Sequence, residues 1–174
     1  KELKNLNNRN GMIDLKNLDI ILEKNIFKIE KLIGKFIKKI TLIIDDNLIL
    51  NIDFGIKKKN YNKTVSRKNL ENLLVDAKDL FKENFKNFKI LHILLTKYLV
   101  DGNRYNSFEE NIVGDFYCLE LRFICISKIL ILKIEKILEK YQISLNQCLD
   151  GTYINNLFKH ENLEISEMAF KIQN

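Results

Sequence analysis

The chain of 174 residues has no proline, no tryptophan, six scattered glycines and three cysteines. The scattered glycines leave no glycine-rich loop to cradle a phosphate. Cys118, Cys125 and Cys148 are odd in number and show neither CxxC spacing nor a histidine cluster, which argues against a zinc site. They read as buried free thiols of a reducing cytoplasm. Cys118 and Cys125 lie an odd number of positions apart on one expected strand, so they face opposite sides of its sheet. Long apolar runs are also missing. The nearest, Leu119 to Leu132, is interrupted by Glu120, Arg122 and Lys128, short of the ~18 clean residues of a membrane helix. No signal peptide follows Lys1, and the chain is expected to be an internal fragment of a longer protein. No nucleophile sits beside a base at a recognisable spacing, so an enzyme is not expected.

The residues that are present describe a globular chain. It is 46% apolar and 30% charged, a composition that can bury a core in one domain or two small ones. Lys, Asn, Ile and Leu are in excess on core, surface and loop positions alike, the mark of an AT-rich coding sequence. That bias weakens the formal charge of +6 as a functional signal. Lys and Glu interleave along the helical stretches, the pattern of a solvated face, so nucleic acid is not an expected partner.

Periodicity orders the elements. Asp14 is placed to cap a long helix whose apolar stripe runs Leu15, Leu18, Leu22, Ile26, Ile29, Ile33 and Phe36. Thr41 to Ile44 reads as a strand and Asp45-Asp46-Asn47 as its turn. From Leu48 to Gly55 apolar residues recur every second position, and Lys57-Lys58-Lys59-Asn60 is expected at the end of that strand or in its loop. Ser66 can cap a second helix with the stripe Leu70, Leu73, Leu74, Ala77, Leu80 and Phe81. A strand from Phe88 to Val100 follows, apolar enough around Ile90 to Leu95 for cover on both faces. Gly102 to Gly114 reads as a polar loop. The strand Tyr117 to Ile126 puts Leu119, Leu121 and Phe123 on one face. Ser127 then caps a third helix carrying Leu130, Ile134, Ile137, Leu138 and Tyr141. Ser144 to Asp150 is expected as a strand, Thr152 to Phe158 as a short helix and Glu164 to Ile172 as a last strand. His92 reads as a packed strand histidine, and His160 as solvated in a polar loop.

The order of these elements, with short motifs inside them, resembles the bacterial cell division protein FtsA family. Gly11-Met12-Ile13-Asp14 is similar to the family's helix opening, one residue shorter, and Glu71 to Lys78 to its helical E-x-V-x-x-x-x-x-A-K pattern. Ile90-Leu91-His92-Ile93-Leu94, Tyr98, Val100-Asp101 and Gly102 match, in register, a strand that in the family reads V-L-H-x-I-P-x-x-Y-x-L-D-G. Gly114 fits the glycine before the next strand, and Gln142 to Leu149 the family's G-L-x-V-D-x-L stretch. Leu95 stands where the family has proline, and Glu109-Glu110-Asn111-Ile112 replaces its Asn-Pro loop. Lys171-Ile172-Gln173-Asn174 occupies the position of its Asp-Ile-Gly-Gly-Gly-Thr phosphate loop.

The resemblance implies an α/β (α+β) fold: part of an actin-like, ribonuclease H-like subdomain with an inserted strand-helix-strand-strand (SHS2) module. Residues 1–47 and 128–174 would belong to subdomain 1A and 48–127 to the inserted subdomain 1C. It implies a non-catalytic interaction module of a scaffold that links the division ring to the membrane and recruits later division proteins. The implied partners are further FtsA subunits and late proteins such as FtsN, with FtsZ and the membrane reached through parts absent from this chain. The implied location is cytoplasmic, at the inner face of the plasma membrane. No cofactor is implied for this stretch; ATP with magnesium is left to the parent protein. The expected partner surface lies on the module's charged positions Lys57, Lys58, Arg67, Lys68, Glu109 and Glu110. Two other readings give the same fold another partner: a further actin-like protein such as a pilus-assembly ATPase partner, or a basic binding domain.

Overall fold

The computed structural model describes residues 15–44, 48–105 and 112–161, the last four of them by their backbone. It is a mixed fold of helices and sheets whose chain divides into two units. One comprises Lys1–Asn47 with Ile137–Asn174, the other Leu48–Lys136. The second is therefore an insertion between the halves of the first. The cut falls inside a helix, so most of the third helix sides with the inserted unit.

Period-two alternation builds the inserted unit's sheet. Strand β2 (Leu50–Thr64) directs Ile52, Phe54 and Ile56 inward at every second position. It is longer than the sequence reading has it: Lys57-Lys58-Lys59 lie inside the strand, not at its end or in a loop. Charge lowers strand propensity but does not forbid a strand whose lysines reach water from a sheet edge. After β2, Ser66 opens α2 (Arg67–Asn84) through a reciprocal cap: Asn69 N–H donates to Ser66 Oγ (3.2 Å) and Ser66 N–H to Asn69 Oδ1 (3.0 Å). Leu73, Ala77 and Phe81 are buried on its inner face and Leu70 and Leu74 pack beside them, whereas Leu80, expected in the stripe, is exposed.

The chain returns through β3 (Phe88–Val100), turns tightly into β4 (Asn103–Tyr105) and then runs β5 (Val113–Ser127). The sheet order is β2-β5-β3-β4, with β5 antiparallel to both long neighbours. β4 and the first residues of β5 occupy part of the stretch expected as loop. Asp101 and Gly102 both have positive φ (48° and 86°), the two-residue hairpin geometry that Asp-Gly adopts readily. β5 places Tyr117, Leu119, Leu121, Phe123 and Cys125 against α2. Phe123 stacks on Phe81 at 4.6 Å between centroids and takes the edge of Phe54 at 5.8 Å, so one aromatic residue joins β2, α2 and β5. Cover on β3 is uneven. His92 is buried, Leu91, Ile93 and Leu94 are half-buried, and Leu95 is exposed.

α3 (Lys128–Glu139) buries Ile131, Ile134 and Leu138. Tyr141, expected on its stripe, lies beyond its end, and the buried Ile131 was not expected.

The outer unit holds α1 (Leu15–Ile33), β1 (Lys39–Ile44), β6 (Ser144–Asp150) and α4 (Gly151–Glu161). β1 and β6 form a two-stranded parallel sheet. Asp150 caps α4 by accepting from Tyr153 N–H at 2.9 Å, and the helix takes in His160, expected in a loop. Asp19 of α1 accepts from Tyr141 Oη at 2.9 Å and is paired with Lys140. Only Leu18 of the expected α1 stripe is buried; Ile29 and Ile33 are exposed, and Phe36 lies past the helix end at 81% exposure. Gly11 to Asp14, Asp45 to Asn47 and Glu164 to Asn174 lie outside the described residues.

Candidate partner-binding surface

α2 covers one face of the β2-β5-β3-β4 sheet, and the strand period assigns the charged positions of β2 to the two faces alternately. Lys58 lies on the helix side, where its Nζ meets Asp76 of α2 at 3.0 Å. That hydrogen bond holds the Lys58 ammonium above its ordinary pKa. Lys57 and Lys59 lie on the opposite face. Their ammonium groups stand 4.1 and 5.8 Å from the ring centre of Phe116, which is half-buried on β5. Lys59 also lies 5.0 Å from the ring of Tyr61.

The remaining expected residues do not join this group. Arg67 pairs with Glu71 one turn along α2 at 3.2 Å, and Lys68 is exposed beside it. Arg67 lies nine helical positions before the Asp76 that holds Lys58, about 13.5 Å at the α-helical rise. Glu109 and Glu110 lie outside the described residues. The expected positions are thus distributed over the unit: Lys57 on the face away from α2, Lys58 on the helix face, Arg67 and Lys68 at the helix start. The reason is the strand itself, since adjacent residues cannot share a face.

Further along the open face the charges neutralise one another. Arg122 forks onto Asp53 across the strand pair, at 2.7 and 3.0 Å, and Lys97 meets Glu120 at 2.8 Å. The Arg122 hydrogen bond lowers the Asp53 carboxyl below its usual range and raises the guanidinium. Cys118 is half-buried here, not buried, and desolvation raises its thiol; Cys125, on the core face, is pushed up to about 11 by burial.

A kinked end closes β2. Its register with β5 jumps from Lys59↔Phe116 to Lys63↔Gly114, so Asn60, Tyr61 and Asn62 bulge out opposite Asp115. Asn60 is buried, and its Nδ2 donates to the carbonyls of Lys63 and Gly114 (3.1 Å to the latter). Tyr61 and Asn62 take left-handed backbone, φ 55° and 52°. Asn tolerates that region; for Tyr it is strained. Tyr61 nevertheless holds its ring 68% exposed. Lys59, Tyr61 and Phe116 were not expected as site residues. Extending the period two from Leu50 through Lys59 identifies Lys59, but nothing in the sequence marks the bulge.

Three positions that carry the family resemblance have structural work here. Asp101 accepts from Asp115 N–H (3.0 Å) and Phe116 N–H (2.8 Å), tying the β3–β4 turn to β5. Gly102 supplies the turn. A Cβ on Gly114 would stand 2.2 Å from Val100 Cγ1 and 2.9 Å from Asp101 Oδ2.

Among the described residues no group of three or more His, Cys, Asp or Glu is arranged to hold a metal ion. No helix among them is long and apolar enough to cross a membrane. Neither a scan against protein-family models nor a search of curated proteins returned a match.

Proposed function

We propose that this chain is a non-catalytic interaction module of a divergent FtsA-like cell-division scaffold, with the inserted unit, a strand-helix-strand-strand order that also takes in the short β4, as an SHS2-type insertion into an actin-like subdomain. The observation that carries the reading is the nesting of Leu48–Lys136 between the two halves of another unit. A unit inserted in this way, with its own core and a long edge strand, suits recruitment of partners more than chemistry. The partners in this reading are further copies of the scaffold and late division proteins, at the inner face of the plasma membrane.

The test is deletion of Leu48 to Ser127 from the parent protein, scored by bacterial two-hybrid against the scaffold and late division proteins and by recruitment to the septum. Loss of these interactions is expected. Their full retention contradicts the reading. Calorimetric titration of this chain with ATP and magnesium is expected to give no saturable heat.

A further inference from the structure

We infer that the outer edge of β2, from Lys57 to Tyr61, is a docking site for an extended acidic peptide whose carboxylates alternate with neutral residues. This deepens the interaction-module reading by naming the surface and its partner's chemistry.

Three observations converge there. First, β2 is the terminal strand of its sheet, regular from Leu50 to Lys59 before the bulge, and among the described residues no strand pairs with its outer side. An added strand gains main-chain hydrogen bonds along such an edge. Second, among the described residues Lys57 and Lys59 meet no carboxylate within ion-pair distance, while the neighbouring Arg122–Asp53 and Lys97–Glu120 pairs of the same face are closed. The two lysines stand two residues apart on one face, about 6.8 Å along the strand, the spacing of alternate side chains on an added strand. Third, a strained backbone pinned by buried Asn60 presents an exposed tyrosine at the end of this row. Tyrosine is among the side chains that dominate binding when a partner buries them.

Edge lysines commonly guard a sheet against unwanted pairing. That guard repels basic strands and leaves neutral ones unrewarded, but it favours an acidic strand. Strand addition also selects a peptide over a nucleic acid, whose phosphates cannot complete the backbone ladder. A single exposed aromatic ring, moreover, is a poor platform for successive bases.

The test uses the full 174-residue chain and fluorescence anisotropy with three labelled probes. These are a ten-residue peptide alternating Glu and Thr, a peptide of the same composition with its Glu in one block, and an oligothymidylate ten-mer. The alternating peptide is expected to saturate and to bind about tenfold tighter than the blocked one, with affinity falling as salt rises. K57E/K59E is expected to weaken it about tenfold. Tyr61→Gly removes the ring while relieving the left-handed strain, so it keeps or raises the melting temperature yet loses peptide affinity. Tyr61→Phe restores binding. Equal binding of the two peptides, tighter binding of the oligonucleotide, unchanged affinity in Tyr61→Gly, or no saturable peptide binding each overturns the inference. If the peptide fails while deletion of 48–127 still abolishes partner binding in the parent, this inference alone falls.

Discussion

The two units differ in how completely they seal their largest apolar side chains. The inserted unit closes a core of its own: Phe81, Phe123, Leu73, Val65, Val100 and Cys125 are all essentially sealed from solvent. The outer unit, among the described residues, has a two-stranded sheet and leaves Phe27, Leu32 and Phe36 at 74%, 86% and 81% exposure. Burial of apolar area is the dominant favourable term in folding. The α2-covered core of the inserted unit is built from its own residues, and the three most exposed large apolar side chains among the described residues belong to the outer unit. A partner can occupy the inserted unit's surface without supplying its α2-covered core.

Point substitutions set the contrast at its sharpest. Phe123→Ala removes the ring shared by Phe81 and Phe54 and is expected to cost about 4 kcal/mol in urea unfolding. Leu32→Ser in the outer unit is expected to change stability by no more than about 0.5 kcal/mol. Similar losses at both sites would erase the distinction. Gly114→Ala should come next, at about 3 kcal/mol, because its methyl collides with Val100 and the Asp101 carboxylate.

Thiol labelling sharpens the comparison without mutation. Half-buried Cys118 is expected to react first in native protein at pH 8. Cys148 of the outer unit should follow, and Cys125, buried in the inserted core with its thiol pushed up to about 11, should react last. Reaction of Cys125 before Cys148 would place the weaker core in the wrong unit.

The smallest effect is electrostatic, with one carboxylate in each unit. Hydrogen bonding from Arg122 lowers Asp53, and hydrogen bonding from Lys140 and then Tyr141 lowers Asp19, both from an ordinary 3.8. A depressed folded pKa gives stability that is present above the unfolded value and lost as pH falls through the folded one. NMR titration should therefore find both carboxyls below 3.8. Asp53→Asn should flatten the acid arm of unfolding in the inserted unit and Asp19→Asn in the outer one.

Much of the architecture was legible because strong periodicities leave few alternatives. Phe88–Val100 and Ser144–Asp150 form strands with the bounds their apolar runs indicate, and Ser66 caps α2 as its position before the helical stripe requires. β4 was missed because polar residues after Gly102 read as loop, although Asp101-Gly102 carries a hairpin signal. The true extent of β2 was hidden by Lys57-Lys58-Lys59, whose charge reads as a strand end when the edge position of the strand is unknown. The candidate surface was less legible still. Lys57 belongs to it, whereas the neighbouring Lys58 falls on the other face of the strand and pairs with Asp76. Tyr61 becomes visible only through a bulge that depends on buried Asn60 meeting the carbonyl of Gly114, 54 positions away.

Leu48–Lys136 is expected both to fold and to bind by itself. The direct measurement is to excise it, follow its unfolding in urea, and titrate it with the alternating Glu-Thr peptide. The account predicts one cooperative transition and a peptide affinity equal to that of the full chain. A fragment without a cooperative transition, or a folded fragment that no longer binds a peptide the full chain binds, would contradict it.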